Sequence, residues 1–263
     1  MDSRPIGVFD SGIGGLTVLK ELLYQFPLEN FIYLGDTARL PYGSKSGETI
    51  RKYSTQNLDF LKSKNVKALI IACNSASTQM REELYQELPL YNVIDPGAEE
   101  AVRKTVTNKI GVIGTRATVV SKAYEEKIKI LKPEAQVYQQ ACPLFVPLAE
   151  EGWLDDPITN LIAYRYLQGL LQNQIDTLVL GCTHYPILKN SIARVTGPEI
   201  TLLDSGEAIA RKIHKDMQTL RIQPSEKQTQ VRICMTDSSH HFISLAEKVL
   251  LPFMVHQFEV INL

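Results

Sequence analysis

The sequence is poor in the features that mark disulfide scaffolds and zinc modules. Its 263 residues include only four cysteines, at positions 73, 142, 182 and 234. No two of them form a C-x-x-C pair, which zinc ribbons and thioredoxin-type motifs require. We therefore expect neither of these sites, and we expect the cysteines to be free thiols of a reducing compartment.

The sequence also lacks an excess of one charge and a long apolar run. The formal net charge is −1, so no strong field favours nucleic acid as a partner. No apolar stretch is long enough to span a bilayer, and the first residues carry no charged-then-apolar leader. We expect a cytoplasmic protein whose main partner is neither a membrane nor a nucleic acid.

Short apolar runs alternate with helical patterns along the whole chain. Runs typical of strands lie at 6–9, 31–35, 68–72, 92–94, 110–113, 136–139, 176–180, 200–203, 231–235 and 256–261. Helical periodicity occupies intervals between them, as at 16–26, 48–63 and 75–87. Such alternation predicts an α/β fold with mainly parallel sheets.

Two stretches of the sequence are repeated. Residues 6–11 resemble 110–115, and residues 68–75 resemble 177–184. This predicts two similar α/β domains related by pseudo-symmetry, with the active site in the cleft between them. Turn-forming residues at 95–97 and 203–206 suggest the borders. Because the tail is too short for a third domain, we predict a first domain of 1–96 plus 207–263 and a second of 97–206.

Two of the cysteines occupy matched positions in this repeat. Cys73 and Cys182 each follow an apolar run, at the strand end where open α/β sheets bind ligands. A following helix N-terminus lowers the pKa of a thiol. A single cysteine in such a place is usually an inert core residue, but two in matched contexts favour a functional pair. Cys142 and Cys234 have no matched twin and are predicted to be structural.

Two opposed thiols can invert a stereocentre, because one removes a proton from one face and the other delivers a proton to the opposite face. The carbanion character that develops needs hydrogen-bond donors. Strand-end loops supply such groups at Ser11, Asn74, Ser75, Thr115, Thr118 and Thr183.

No cofactor or metal motif accompanies these residues. The glycine-rich turn at 10–15 has Thr17 at the third glycine position of a dinucleotide fingerprint, and it lacks the lysine of a P-loop. Cys182 and His184 could begin a zinc site, but no second closely spaced ligand pair follows. We expect a reaction without cofactor or metal.

Motifs along nearly the whole chain resemble those of the glutamate racemases, cofactor-independent members of the aspartate/glutamate racemase superfamily. The matching segments are DSGIGG (10–15), GDT (35–37), PYG (41–43), ACNS (72–75), GVIGT (111–115), CPLFVPL (142–148) and LGCTHYP (180–186). One departure is Ser75, where the family usually has threonine. It keeps the hydroxyl, so we expect little change in function.

The resemblance implies interconversion of L- and D-glutamate, which supplies D-glutamate for peptidoglycan. It implies that Cys73 exchanges the proton of D-glutamate and Cys182 that of L-glutamate. Asp10 would assist Cys73, and His184 would assist Cys182, with Glu150 rather than its neighbour Glu151 beside the histidine.

The resemblance also implies a set of substrate contacts and one supporting acid, Asp36. The positions that match the family's substrate contacts are Asp10, Ser11, Pro41, Tyr42, Gly43, Cys73, Asn74, Ser75, Thr118, Thr183 and His184.

Two other functions stay open at this point. The two-thiol mechanism does not determine the side chain of the substrate, so a racemase of another acidic amino acid such as aspartate is an alternative. A protein-binding role, for example inhibition of gyrase, is a second, although the near-neutral charge and the intact thiol pair argue against it. The sequence selects no oligomeric arrangement, and a homodimer is compatible with it.

Overall fold

The computed structural model describes residues 2–220, 229–238 and 240–263, with the side chains of 217–220 and 241 outside the description. The strands are β1 (Ile6–Asp10), β2 (Phe31–Gly35), β3 (Ala68–Ile71), β4 (Leu84–Tyr85), β5 (Leu88–Asn92), β6 (Lys109–Gly114), β7 (Gln136–Ala141), β8 (Thr177–Gly181), β9 (Thr201–Asp204), β10 (Val231–Met235) and β11 (Gln257–Val260). The helices are α1 (Leu16–Gln25), α2 (Gly47–Ser63), α3 (Asn74–Ser77), α4 (Ile94–Lys104), α5 (Arg116–Val120), α6 (Ala123–Leu131), α7 (Phe145–Glu150), α8 (Pro157–Gln172), α9 (Lys189–Thr196), α10 (Ser205–Leu220) and α11 (His240–Leu250).

The strands form two sheets with the same central plan. The first has the order β11-β10-β2-β1-β3-β5-β4 and the second β7-β6-β8-β9. In each sheet the first strand of the unit lies between the second and the third, and the next parallel strand (β5 or β9) follows the third. Every pair is parallel except β4 with β5. The predicted α/β fold with two similar, mainly parallel sheets is confirmed.

Both sheets are covered on both faces, which explains the continuous apolar strands. Side chains from α1, α10 and α11 pack on one face of the first sheet, and α2 packs on the other. The second sheet is covered by α7, α8 and α9 on one side and by α4 and α6 on the other. The strands are packed within four hydrophobic clusters, and the loops at the strand ends carry the polar residues.

The helix predicted over 75–87 is wrong, because α3 ends after a single turn. Ser77 Oγ donates to the carbonyl of Ile71 at 3.2 Å, and Thr78 Oγ1 donates to that of Ser75 at 2.8 Å. Such bonds offer the backbone an alternative to a continued helix. Gln86 and Glu87 then adopt positive φ values of 47° and 75°, which close the two-residue hairpin between β4 and β5.

The strand predicted at 92–94 is also misplaced, since β5 ends at Asn92. The Asn92 Oδ1 atom accepts hydrogen bonds from the backbone nitrogens of Ile94 at 3.0 Å and Asp95 at 3.1 Å. The asparagine therefore ends the strand and begins α4.

The turn predicted at 95–97 lies inside the first turn of α4. Proline is tolerated there because the first amides of a helix have no intrahelical partner. The predicted domain border at 96/97 thus falls within a helix. Strands at 6–92 and 231–260 form the first sheet and strands at 109–204 the second, which is compatible with the predicted division. The exact borders stay a prediction.

Within the described ranges, no helix has both the length and the apolar character that crossing a membrane requires.

A buried ion pair fixes the amino-terminal edge of the first sheet, away from the strand ends that carry the polar loops. Lys67 Nζ lies 2.5 Å from Glu29 Oε2, and both side chains are only 2% exposed. The same ammonium donates to the carbonyl of Asp2 at 3.0 Å. Removing one partner of such a pair leaves an uncompensated buried charge.

We therefore expect Lys67→Met to lower the free energy of unfolding by about 3 kcal/mol. Urea unfolding followed by circular dichroism measures this. The control is Arg194→Met, which breaks the exposed pair with Asp155 and should cost no more than about 0.5 kcal/mol. Equal losses in the two variants would contradict the assignment.

Candidate active site

The candidate site lies where the carboxyl ends of the two sheets meet. Asp10 ends β1 and Cys73 follows β3 on the first sheet, while Thr115, Cys182 and Ser205 follow β6, β8 and β9 on the second. Cys73 and Cys182 occupy topologically equivalent positions, because β3 and β8 are equivalent strands. Hydrogen bonds from loop to loop join the two edges.

The glycine-rich turn after β1 is one point of contact between the two edges. Asp10 is fully buried, and its Oδ2 accepts from the amide of Gly12 at 2.9 Å. Its Oδ1 accepts from Thr183 Oγ1, on the second sheet, at 3.3 Å. A Cβ on Gly14 would lie 2.4 Å from both Thr183 Oγ1 and His184 Nδ1. Only glycine therefore allows this turn to pack against the loop that carries Cys182.

Cys73 is a buried thiol at the start of α3. Its Sγ donates to Ser11 Oγ at 3.7 Å. Burial raises the pKa of Cys73 well above its ordinary value, and the negative charge of Asp10 adds to this effect. The thiol form is accordingly the stable form of Cys73.

Cys182 has a different environment. Its Sγ lies 3.9 Å from His184 Nδ1, and His184 Nε2 lies 3.0 Å from Glu150 Oε1. Burial alone would lower the pKa of His184, but its hydrogen bonds with Cys182 and Glu150 raise that pKa to about 10. The protonated imidazole therefore lies beside the Cys182 sulfur.

A chain of hydroxyls crosses the cleft near Cys73. Ser75 Oγ lies 2.9 Å from Thr115 Oγ1, which lies 3.1 Å from Thr118 Oγ1. A Cβ on Gly43 would be 2.5 Å from the Thr115 Cβ, so the backbone after Tyr42 also approaches this chain closely. Neutral donors of this kind can hold carboxylates.

Asn74 is held from the second sheet's side. Its Oδ1 accepts from the Tyr124 hydroxyl at 2.7 Å, and its Nδ2 lies 3.4 Å from Ser205 Oγ. The sequence analysis identified neither Tyr124 nor Ser205 as a site residue. Ser205 could have been found, because it follows a strand end like the other site residues. Tyr124 lies inside a helical segment, and nothing in the sequence around it marks it.

Asp36 and Tyr42 form a buried polar cluster beside the first sheet. The Tyr42 hydroxyl donates to Asp36 Oδ2, and Asn57 Nδ2 donates to the Tyr42 oxygen at 2.9 Å. Arg39 Nε lies 2.7 Å from Asp36, and Thr236 Oγ1 donates to Asp36 at 2.9 Å. Asp36 thus anchors the loop that presents Gly43, while Pro41 on the same loop is exposed.

The remaining two cysteines are buried in the core. All four cysteines are free. Cys142 Sγ donates to the carbonyl of Gln140 at 3.6 Å, and Cys234 lies within β10. Burial raises the pKa of Cys142 far above its ordinary value and that of Cys234 to about 11. Among residues 2–220, 229–238 and 240–263, no group of three or more metal-ligating side chains could hold a metal ion.

The arrangement places two buried cysteines at equivalent strand ends, one near the Asp10 carboxylate and one beside the His184 imidazole, with neutral hydrogen-bond donors between the sheets. A pair of cysteines so placed can remove a proton from a carbon acid and deliver one to it.

Comparison with known proteins identifies the family. A family model described as Asp/Glu/Hydantoin racemase matches residues 18–213. A glutamate racemase of Syntrophus aciditrophicus is 48% identical over 250 residues, covering 94% of this chain and 93% of that protein.

Solved structures agree as well. A glutamate racemase isoform of Bacillus anthracis superposes with a TM-score of 0.94 at 34% identity, over 100% of this chain and 99% of that one. A glutamate racemase of Francisella tularensis in complex with D-glutamate gives a TM-score of 0.93 at 38% identity, over 100% and 98%. With its motifs, its fold and these relatives in agreement, the chain belongs to the Asp/Glu/hydantoin racemase family and is an isomerase that acts on amino acids.

Proposed function

We propose that the protein interconverts L- and D-glutamate by moving the Cα proton between Cys182 and Cys73 without a cofactor, and that it supplies D-glutamate for peptidoglycan. The observation that carries the proposal is the pair of cysteines at equivalent strand ends of two similar sheets. Their unequal surroundings, one beside an imidazolium and the other near the buried Asp10 carboxylate, assign them opposite roles.

In the direction from L- to D-glutamate, the Cys182 thiolate takes the Cα proton and the Cys73 thiol delivers a proton to the opposite face. His184 stabilises the thiolate, and Glu150 keeps the imidazole protonated and oriented. In the reverse direction Cys73 must be the base, and Asp10 lies close enough to assist it. The two thiols exchange forms in each turnover, so atoms and charge balance.

The substrate carboxylates would be held by neutral donors. We assign this task to Ser11, Asn74, Ser75, Thr118 and Thr183, together with the backbone of the Tyr42-Gly43 loop. Hydrogen bonds from such groups strengthen as negative charge develops next to the carboxylate. Four free cysteines fit a reducing compartment, and we propose that the enzyme acts in the cytoplasm.

Replacing either thiol should abolish racemisation. We expect Cys73→Ala and Cys182→Ala each to lower kcat by at least about 100-fold, because each removes an acid or base of the reaction. The assay follows the loss of optical rotation of L- and D-glutamate in heavy water, with no cofactor added, and deuterium entry at Cα. The control Cys142→Ala removes an equally buried cysteine and should keep its activity. Full activity of Cys73→Ala in both directions would refute the two-thiol mechanism.

A comparison with aspartate, the shorter acidic amino acid, tests the proposal that glutamate is the substrate. We expect kcat/KM for L-glutamate to exceed that for L-aspartate by at least about 100-fold. Aspartate is one methylene shorter than glutamate. A site whose hydrogen-bond donors pair with both carboxylates of glutamate therefore leaves buried donors unpaired when aspartate binds. Parallel assays at equal enzyme concentration measure the ratio. A ratio below one would reassign the substrate while leaving the mechanism intact.

The pH profile should respond to Glu150. Hydrogen bonding to Glu150 raises the pKa of His184, so Glu150→Gln should lower that pKa from about 10. The imidazolium would then be lost at a lower pH, and the alkaline limb of kcat/KM for L-glutamate should move down by about one pH unit. The control is Glu151→Gln, which alters the adjacent acid and should leave the limb in place. An identical shift in both variants would exclude a specific pairing of Glu150 with His184.

A further inference from the structure

Tyr124 touches the neighbours of both cysteines. It lies on α6 and is fully buried. A Cβ on Gly181, the residue before Cys182, would stand 3.1 Å from the tyrosine ring. The hydroxyl of the same ring donates to Oδ1 of Asn74, the residue after Cys73, at 2.7 Å. One rigid side chain therefore connects the two cysteine-bearing turns.

The placement of the ring is tightly restricted. On the side of α4, a Cβ on Gly97 would lie 3.0 Å from the ring. The ring is thus confined by two glycines, one on α4 and one at the end of β8. A side chain at either position would meet the ring, so the ring occupies space that only glycine leaves open.

The side-chain amide of Asn74 links the position of the Tyr124 ring to the position of Cys73. Asn74 is buried, and its two amide atoms face Tyr124 and Ser205. Cys73 is the N-cap of the short helix that Asn74 begins. When the amide is held at both ends, the first turn of α3 and the Cys73 side chain are held with it.

We propose that Tyr124 is a positioning residue that sets the placement of the Cys73 turn relative to the Cys182 turn, acting through the Asn74 amide and the Gly181 backbone. The inference rests on the proposed two-thiol racemase reaction. In that reaction the two sulfurs must reach opposite faces of one carbon, and a displacement of about 1 Å can cost on the order of 100-fold in rate.

Removing the hydroxyl alone is the sharpest change. Tyr124→Phe keeps the ring between the glycines but leaves Asn74 Oδ1 as a buried acceptor without its donor. The amide then keeps only its contact with Ser205, so the Cys73 turn is held less firmly. A residue that merely fills the core would change stability in this variant but not the alignment of the thiols.

The matched control is Tyr185→Phe. Tyr185 is also fully buried on the second sheet's side, and its hydroxyl donates to the carbonyl of Cys142 at 2.8 Å. The variant Tyr185→Phe loses a hydrogen bond of the same kind, but this bond has no link to Asn74. Urea midpoints of the two variants show whether the two losses of stability are comparable.

Kinetics of the full-length protein test the proposal first. We expect Tyr124→Phe to lower kcat for L-glutamate at least about tenfold with KM within about threefold, whereas Tyr185→Phe stays within about twofold of the parent. Tyr124→Phe added to Asn74→Ala should cost little more than Asn74→Ala alone, since both act through one amide. A kcat within twofold of the parent, or independent losses in the double variant, would overturn the proposal.

Thiol labelling gives a readout that does not depend on racemisation. Iodoacetamide alkylation of each cysteine, followed by mass spectrometry, should proceed at least about threefold faster at Cys73 in Tyr124→Phe than in Tyr185→Phe. Cys234, which lies within β10 of the first sheet, serves as the internal reference. If the parent protein fails to racemise glutamate, the proposed function fails, but faster labelling of Cys73 still supports the positioning role. Unchanged labelling of Cys73 would overturn that role whatever the activity.

Discussion

The contact between the carboxyl edges of two parallel sheets is the constraint on which the site depends. Parallel strands expose their polar loops at one edge, and here the two edges face each other closely enough for Asp10 to bond with Thr183. The approach is possible because Gly14 has no side chain where it meets His184. A larger residue at position 14 would separate the edges, and every hydrogen bond across the cleft would lengthen with it.

The two sheets share a topology but not a chemistry. Equivalent strands deliver Cys73 and Cys182 to equivalent places, while the loops around them differ. Cys182 has a histidine two residues away and an acid from α7 behind that histidine. Cys73 has a serine hydroxyl and a buried carboxylate nearby. The shared topology therefore explains the geometry of the pair, and the different loops explain its electrostatics.

Much of this could be predicted from the sequence, because periodicity and strand-end position are local signals. The strands around Val8, Ile70 and Val179 were predictable from their apolar runs, and the matched cysteines from their place after two of these runs. The ends of elements were not predictable in this way where side chains compete with the backbone for hydrogen bonds. Asn92 ends a strand by capping a helix, and the hydroxyls of Ser77 and Thr78 end a helix that the apolar pattern alone would extend.

Contacts between residues that are far apart in the sequence could not be predicted either. Tyr124 lies 50 residues from Asn74 in the chain, and its helix carries no motif. Only the packing of α6 against α4 and β8 brings its hydroxyl to the site. Glu150 and Asp36 entered through a family resemblance, whereas their hydrogen bonds to His184 and to Tyr42 are visible only in three dimensions.

The unequal surroundings of the two thiols also bear on how the enzyme recovers between turnovers. Under the proposed reaction, release of D-glutamate leaves a proton on Cys182 and none on Cys73, which is the opposite of the form that accepts L-glutamate. The free enzyme must then move a proton between two buried sulfurs before it can bind L-glutamate productively again. The burial that keeps water away from the carbanion also slows this recovery. At high substrate concentration the recovery step, rather than chemistry at Cα, would then limit the net flux.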